Sequence, residues 1–424
     1  MGRLQPTEHS FGEPSHPACA SNGHRHPAPW SEDAQIVDAD VVGAVLRTAR
    51  AVLDERVAEA VESDVLFSEE LARRVAGFTL DGGKRMRPRL LWWGMRACGA
   101  AETGSALRLG VALELIQTCA LIHDDVMDRS RLRRGEPALH IGLAERAGLP
   151  PDSARGSAFG SSAAVLAGDL ALVWADDTVA ETMLSAAQRR RVGAHWRAMR
   201  TEMVAGQYLD LHGQVSGGAS LTQALRTTCL KSASYSVERP LAIGAALAGA
   251  DERTTDALRY AGRCAGIAFQ LRDDLLGVFG DPALTGKPSG DDIRDGKPTY
   301  LLAVARTWAE AAGDEEATAV LGRVTGDADL TEKDLADVRG VFEVTGARAH
   351  VEQEAERLHD QAVRSLGQAV DVDAHGGSQL LGLLRTVSGD RCGPSPTTGG
   401  TRGHDSGAAA AAPVLTATEE GGTT

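Results

Sequence analysis

Apolar side chains recur every three or four residues along most of this chain. This spacing places them on one face of an α-helix. The first such run consists of Val42, Val45, Leu46, Ala49, Leu53, Val57 and Ala60. The same periodicity extends over Ala106–Asp128, Ala163–Leu184, Arg189–Leu211, Leu221–Ala248, Thr254–Leu276, Val351–Leu366 and Gln379–Val387. Strand-like alternation is almost absent. The pattern predicts one all-α domain over residues 36–388.

The two ends of the chain lack this periodicity. Residues 1–35 are rich in Pro, His, Ser and Gly, and residues 389–424 are rich in Gly, Ala, Thr and Ser. Segments of such composition bury too little apolar surface to fold. We therefore predict a disordered tail on each side of the helical domain.

Composition narrows the classes of partner. The formal net charge is -14, which disfavours a nucleic-acid partner and leaves local cationic clusters to hold any anionic substrate. The six cysteines are scattered without a C-x-x-C pair, as in a reducing cytosol. No apolar run approaches membrane-spanning length and no signal-peptide core is present. We expect a cytoplasmic protein with no integral membrane segment.

The segment His123–Asp128 carries three carboxylates at the end of a predicted helix. Asp124 and Asp128 lie one turn apart on the same face, whereas Asp125 is rotated by about 100°. Three acidic residues at a helix C-terminus oppose the helix dipole, so a compensating cation is favoured over a solvated helix end. Paired carboxylates bind hard cations such as Mg²⁺, which complete their shell with water and phosphate oxygens.

Basic and glycine-rich segments accompany this acidic cluster. Arginines follow it at positions 129, 131, 133 and 134, and Gly82–Pro88 combines two glycines with Lys84 and Arg87. Arginine pairs suit bidentate binding of phosphate oxygens, and glycines let the backbone approach an anion. These segments predict a diphosphate site.

A second acidic cluster ends the helix predicted over Thr254–Leu276. Asp273 and Asp274 are present, but Gly277 stands where a third Asp would complete the pattern. The glycine-rich stretch that follows contains Lys287 and is predicted to be a mobile lid. Lysine is scarce in this chain, and four of its five lysines lie inside these motif segments: Lys84, Lys231, Lys287, Lys297, with Lys333 the exception.

Together these segments resemble the trans-isoprenyl diphosphate synthases, or polyprenyl synthetases, over residues 38–388. The resemblance implies a single large helical bundle around a deep central cavity, a homodimer, and three Mg²⁺ ions held between the acidic clusters. By motif, the metal ligands are Asp124, Asp128 and Asp273. The isopentenyl diphosphate ligands are Lys84, Arg87, Gln117 and Arg134. The allylic diphosphate ligands are Arg133, Lys231, Ser232, Gln270 and Lys287.

The implied reaction joins isopentenyl diphosphate to an allylic diphosphate, namely dimethylallyl, geranyl or farnesyl diphosphate. Asp124, Asp128, Arg133, Lys231, Asp273 and Lys287 form the implied catalytic set. Ser232 replaces the commoner Thr and keeps the hydroxyl, and Gly277 puts one outer carboxylate in doubt. Cys119 and Ala120 are small residues one turn before Asp124, and Ile116 and Leu113 could form the cavity floor. We therefore expect a product of at least twenty carbons, preferentially geranylgeranyl diphosphate.

Three alternatives stay open. A longer-chain polyprenyl diphosphate synthase would share every motif. A class I terpene cyclase normally carries an Asn/Asp-x-x-Ser/Thr-x-x-x-Glu triad, but the only asparagine is Asn22 and residues 200–240 contain no convincing triad. A non-catalytic subunit that modulates a partner synthase usually loses one acidic cluster, whereas Asp124, Asp128 and Asp273 are all present.

Overall fold

The computed structural model describes residues 33–215, 220–281, 289–327 and 329–389. The predicted tails fall almost wholly outside these ranges, as does Lys287. The helices within them are α1 Ala34–Ala39, α2 Val41–Ser63, α3 Val65–Phe67, α4 Arg73–Leu80, α5 Met86–Ala97, α6 Thr103–Met127, α7 Leu139–Arg146, α8 Ala154–Glu181, α9 Ala186–Val215, α10 Leu221–Thr228, α11 Arg239–Leu247, α12 Glu252–Phe279, α13 Asp291–Arg294, α14 Tyr300–Ala312, α15 Glu315–Val324, α16 Glu332–Val344, α17 Ala347–Ala369 and α18 His375–Ser388.

Two π-helical segments and one short hairpin complete the described structure. The π-helical segments are π1 (Ser68–Ala72) and π2 (Cys229–Glu238). Strands β1 (Leu132–Arg133) and β2 (Glu136–Pro137) pair antiparallel. The predicted all-α fold is confirmed. Helix α1 begins two residues inside the segment that the sequence assigned to the N-terminal tail.

Local sequence accounts for the beginnings of the long helices. The side chain of Asp40 caps α2 by accepting a hydrogen bond from Gly43 N, and Asp251 caps α12 by accepting one from Thr254 N. Such caps satisfy backbone N–H groups that have no partner inside the helix. The second acidic cluster therefore lies at the opposite, C-terminal end of a helix that begins at a side-chain cap, whereas no side-chain hydrogen bond caps the start of α6.

The core forms where long helices approach through small residues. Helix α12 packs most extensively against α17, and α6 packs most extensively against α8. At the α6–α8 interface a Cβ on Gly168 would lie 2.1 Å from Nε2 of His123, so only glycine leaves room for that ring. Close packing through Ala and Gly is how a chain with 4% aromatic residues builds a dense core.

The sequence predicted one continuous helix over Leu221–Ala248, but the structure divides it into α10, π2 and α11. The wide-turn segment π2 is packed on two sides against glycines. A Cβ on Gly206 of α9 would lie 2.5 Å from the backbone nitrogen of Lys231, and one on Gly266 of α12 would lie 2.6 Å from Cα of Ala233. Hydrophobic periodicity cannot distinguish this rare geometry, which is often found at functional sites.

Two described helices are long and apolar enough to cross a membrane, which corrects the expectation that no run reaches that length. These are α6 and α8, whose most apolar 18-residue windows are 72% and 39% buried inside the fold. Helix α6 is apolar on most sides because other helices surround it. Length and composition are weak evidence of membrane insertion, since core helices of soluble proteins meet the same criteria.

Candidate active site

The first acidic cluster ends helix α6 and turns two of its carboxylates inward. Asp124 Oδ1 accepts hydrogen bonds from Gln207 Nε2 at 3.2 Å and from Lys231 Nζ at 3.4 Å. Its Oδ2 lies 3.5 Å from Nη2 of Arg133. Side chains from three other structural elements therefore contact this one carboxylate of α6: the hairpin, α9 and π2.

Asp125 points elsewhere, as the helical spacing predicted. It is fully buried and accepts a 2.8 Å hydrogen bond from Nε of Arg133. Burial raises the pKa of Asp125, and Arg133 opposes that shift. Asp125 therefore serves to hold Arg133 beside Asp124.

Asp128 shares the face of Asp124 and is largely buried. Its pKa is raised by burial and by the neighbouring Asp124 carboxylate. A carboxylate whose charge is disfavoured in this way is stabilised by an added cation. In the described structure that cation is Lys297, whose Nζ lies 3.5 Å from Asp128 Oδ2.

The hairpin after α6 presents two adjacent arginines in different directions. Arg134 and Gly135 form its two-residue turn with φ of 57° and 83°, and turns with two positive φ angles match the twist of paired strands. Arg133 faces the acidic cluster, whereas Arg134 donates to the carbonyl oxygen of Asp81. A non-glycine residue with positive φ stores strain, a feature that clusters at functional sites.

Arg134 lies against the Gly82–Gly83 turn. A Cβ on Gly82 would lie 3.0 Å from Cδ of Arg134, and one on Gly83 would lie 3.3 Å from its Nη2. Both glycines also have positive φ. The pair therefore admits the Arg134 side chain next to exposed Lys84, which brings together two of the residues predicted to bind isopentenyl diphosphate.

The other two predicted ligands of that substrate meet through Tyr235. Its hydroxyl donates to Gln117 Oε1 at 2.9 Å, and the guanidinium carbon of Arg87 lies 4.4 Å from its ring centroid. Arg87 also donates to Ser236 Oγ at 2.6 Å. Tyr235 and Ser236 were not predicted from the sequence, because only the π2 geometry turns them toward α5 and α6.

Arg85, between Lys84 and Arg87, has a structural role. It is buried, forms an ion pair with Glu114, and donates to the carbonyl oxygens of Thr79 and Leu80 at 2.8 and 2.6 Å. These bonds fasten the glycine turn to α6. The basic residues of this segment are therefore divided between anchoring the loop and facing the site.

Lys231 links π2 to the acidic cluster. Its Nζ lies 2.6 Å from Asp210 Oδ2 and 3.4 Å from Asp124 Oδ1. Burial disfavours the ammonium ion, but Asp124 and Asp210 outweigh burial and raise the pKa of Lys231. Gln207 and Asp210 on α9 were not predicted from the sequence, because α9 carries many other polar and charged residues that give the same pattern.

A hydrogen-bonded chain joins the predicted allylic ligands to the second acidic cluster. Ser232 Oγ donates to Gln270 Oε1 at 2.6 Å, and Gln270 Nε2 donates to Asp274 Oδ1 at 2.9 Å. The serine hydroxyl thus makes a defined contact in place of the commoner threonine. Burial, opposed by Gln270 and reinforced by Asp292 and Asp273, raises the pKa of Asp274 to about 8.

The two halves of the site approach each other through Lys297. Besides Asp128, its Nζ lies 3.6 Å from Asp292 and 3.5 Å from Asp295. Burial opposes its charge, but these carboxylates raise its pKa overall. Asp273 is exposed on α12 and raises the pKa of Asp292, which is already raised by burial.

The predicted chain-length residues lie in different environments. Ala120 is partly exposed on the face of α6 that carries Asp124. Cys119 is rotated by about 140° from Asp124 on the helix and is buried, with Sγ 3.8 Å from Nδ1 of His123. Ile116 and Leu113 are fully buried. Open space therefore adjoins Ala120, whereas Cys119 lies at the α6–α8 interface.

The donor set fits a hydrated magnesium ion. Within the described residues no group of three or more Asp, Glu, His or Cys side chains is arranged to hold a metal unaided. Mg²⁺ typically uses one or two carboxylates and completes its shell with water and substrate phosphate. Asp124 and Asp128 match that requirement. The ammonium groups of Lys231 and Lys297 lie beside these two carboxylates and balance their charge.

Comparison with known proteins identifies the family. The sequence model of the polyprenyl synthetase family matches residues 69–338. The chain belongs to the polyprenyl synthetase family and is an enzyme, a trans-prenyl diphosphate synthase. Enzymes of this family are Mg²⁺-dependent prenyltransferases whose substrates are isopentenyl and allylic diphosphates.

The relatives differ in the product that they are named for. The chain is 32% identical to geranylfarnesyl diphosphate synthase of Aeropyrum pernix, over 72% of this chain and 88% of that protein. It is 30% identical to geranylgeranyl diphosphate synthase of Mycobacterium tuberculosis, over 84% and 96%.

A solved relative covers nearly the whole helical domain. Geranylgeranyl pyrophosphate synthase of Corynebacterium glutamicum, complexed with isoprenyl diphosphate and magnesium, matches 82% of this chain and 99% of its own. Its sequence identity is 37% and its TM-score is 0.74.

Proposed function

We propose that this protein condenses isopentenyl diphosphate with an allylic diphosphate to form geranylgeranyl diphosphate and release diphosphate. The observation that carries the proposal is the pair of acidic half-sites that meet at Lys297. Two further cationic side chains lie outside the half-sites, Arg87 against Tyr235 and Arg134 against the Gly82–Gly83 turn. In this proposal one diphosphate is bound between the half-sites, and the other is bound by these cationic residues.

Asp124, Asp128 and Asp273 are the proposed ligands of three magnesium ions. Bound Mg²⁺ supplies charge neutralisation for the departing diphosphate. Arg133 and Lys231 hold the same diphosphate from the hairpin and π2, with Ser232, Gln270 and Lys287 as its further ligands. Lys84, Arg87, Gln117 and Arg134 hold isopentenyl diphosphate.

These residues act by positioning and electrostatics. As the allylic C–O bond breaks, its electron pair leaves with the diphosphate, and the preorganised cations stabilise the charge that develops there. The double bond of isopentenyl diphosphate then attacks the allylic carbon. This attack leaves a carbocation on the isopentenyl unit, and loss of a proton from the carbon next to it forms a new double bond, with the released diphosphate as the proposed base. Holding both substrates with their reacting carbons close together lowers the part of the activation barrier that comes from lost translational and rotational freedom.

Purified protein incubated with Mg²⁺, isopentenyl diphosphate and each allylic diphosphate in turn tests this activity. We expect a prenyl diphosphate whose length is read by chromatography after dephosphorylation. Absence of a prenyl product with all three primers would overturn the synthase assignment in favour of a non-catalytic subunit. A cyclic hydrocarbon from geranylgeranyl diphosphate alone would favour a terpene cyclase, and a product beyond twenty carbons would favour a longer-chain synthase.

Product length is proposed to depend on Ala120, supported by its partial exposure on the Asp124 face. We expect Ala120→Phe to shorten the main product from twenty to fifteen carbons, because the ring fills the space beside the growing chain. Ala120→Ser, which keeps the volume nearly unchanged, should leave the product unaltered. An unchanged product with Ala120→Phe would remove this helix face from the proposed ruler.

We also propose a homodimer located in the cytoplasm. Support for the dimer comes from α8, where Phe159, Leu166 and Val173, spaced by seven residues on one face, are 45%, 60% and 55% exposed. Exposed apolar stripes of this kind mark association surfaces. Leu166→Glu should convert the dimer to a monomer in light scattering, whereas Ala51→Glu, at an exposed position of α2, should not. Cell fractionation tests the location.

A further inference from the structure

Gly277 and Asp292 occupy one region of space at the end of α12. A Cβ built on Gly277 would lie 3.0 Å from Oδ2 of Asp292. The φ of Gly277 is not positive, so the backbone itself does not require glycine there. Glycine inside a helix is less stable than alanine. The absence of a side chain at position 277 therefore makes room for the carboxylate of Asp292.

The segment that carries Asp292 is fastened to Gly277 itself. Gly290 N donates to the carbonyl oxygen of Gly277 at 2.8 Å, and Ser289 Oγ donates to that of Val278 at 2.9 Å. Arg339 Nη2 donates to Ser289 Oγ at 2.9 Å and its Nε donates to Val278 O at 2.8 Å. These bonds hold the start of α13 against the end of α12, so the position of Asp292 is defined by built contacts.

Asp292 also faces the opposite half of the site. Lys297 Nζ lies 3.6 Å from Asp292 Oδ1 and 3.5 Å from Asp128 Oδ2. The single ammonium group therefore bridges a proposed metal ligand of the first cluster and the carboxylate beside the second cluster. An acidic group in this position neighbours any cation held between Asp128 and Asp273.

We propose that Asp292 supplies in space the third carboxylate that Gly277 leaves out of the second acidic cluster. Asp292 is a positioning residue: it forms an ion pair with Lys297 in the metal-free protein, and with substrate it orients the hydration shell of the magnesium–diphosphate complex beside Asp273. This inference rests on the proposed function. The acidic cluster is thus completed from two segments of the chain rather than from one helix.

Moving the carboxylate back to α12 tests this assignment. Full-length protein is titrated with Mg²⁺ in the presence of inorganic diphosphate by calorimetry. We expect Asp292→Ala to weaken the apparent Mg²⁺ affinity by about tenfold or more, as loss of residues that orient metal ligands generally does. The double variant Gly277→Asp/Asp292→Ala should recover to within about threefold of the wild type. The neutral, equally sized double variant Gly277→Asn/Asp292→Ala should remain weak.

A second measurement separates charge from packing. Gly277→Asp alone crowds Asp292 and should lower the melting temperature, and adding Asp292→Ala should relieve that loss, because neighbouring residues couple. If Asp292→Ala fails to fold, Asp292→Asn keeps the size of the side chain and should show the same loss of Mg²⁺ affinity.

Two results would overturn the inference while leaving the proposed function intact. One is a wild-type Mg²⁺ affinity in Asp292→Ala, or in Asp292→Asn where that replacement is needed. The other is equal recovery by the Asp and Asn double variants. A wild-type protein that binds no Mg²⁺ with diphosphate contradicts the proposed function itself, and this inference with it.

Discussion

The two acidic clusters end similar long helices but balance their charges in different ways. In the first, Arg133 and Lys231 bring permanent cations to Asp124 from the hairpin and π2. In the second, the buried Asp274 receives the neutral amide of Gln270. Burial raises the pKa of Asp125 and of Asp274 alike, but an arginine opposes the shift only for Asp125.

The difference shows how a helical motif acquires its properties. Asp125 and Asp274 stand in similar acidic motifs but differ in how their charge is balanced, because the charge of a buried acid depends on the groups that face it. The first half-site is arranged around charged ligands. The second combines an exposed carboxylate, Asp273, with a buried one, Asp274, whose pKa burial raises to about 8.

The largest effect should come from removing a proposed metal ligand. We expect Asp124→Asn to lower kcat/KM on the order of 10³-fold, because the carboxylate contacts both Arg133 and Lys231 as well as the proposed ion. Asp273→Asn should lower kcat/KM by a smaller factor, since fewer side chains contact Asp273. Steady-state assays with labelled isopentenyl diphosphate measure both. Asp54→Asn, on the exposed face of α2, is the control, and equal losses at 124 and 273 would contradict the asymmetry.

The second-largest expected effect is a pH dependence of the free energy of unfolding of the metal-free protein. The pKa of Asp274 in the folded protein, about 8, lies well above the ordinary aspartate value of 3.8. The native state therefore binds more protons between those values, and stability falls as pH rises. Between pH 6 and 8 we expect the free energy of unfolding, measured with urea, to fall by about 2 kcal/mol.

Asp274→Asn should flatten this pH profile, because the amide keeps an acceptor for Gln270 and does not titrate. Asp125→Asn serves as the matched replacement in the first cluster and should leave the profile between pH 6 and 8 in place. A profile unchanged by Asp274→Asn would assign the pH dependence to another group.

The smallest expected effect comes from replacing Lys297, which lies between the two acidic half-sites. We expect Lys297→Gln to destabilise metal-free protein by about 1 kcal/mol, since three carboxylates lose a partly exposed cation. Added Mg²⁺ with diphosphate should stabilise this variant more than the wild type, because the ions then replace the missing charge. Thermal unfolding measures both, with exposed Lys333→Gln as control. Equal responses would indicate that Lys297 does not bridge the two half-sites.

Much of the fold could be predicted because its signals are local. The periodic segments Ala106–Asp128 and Thr254–Leu276 correspond to α6 and α12 with ends shifted by only a few residues. The separation of Asp125 from Asp124 and Asp128 also follows from helical spacing. Segment π2 could not be predicted, since its wide turns depend on glycines of α9 and α12 that pack against it.

The sequence by itself determined the helices and the carboxylates that share a helix face, because these depend on neighbours three or four residues apart. Only the tertiary structure decided that Asp292 fills the space at Gly277 and that Lys297 joins Asp292 to Asp128. Those contacts depend on which distant segments pack together, and no spacing along the chain encodes them. The gap in the second acidic cluster is a gap in sequence, and a carboxylate from another segment occupies it in space.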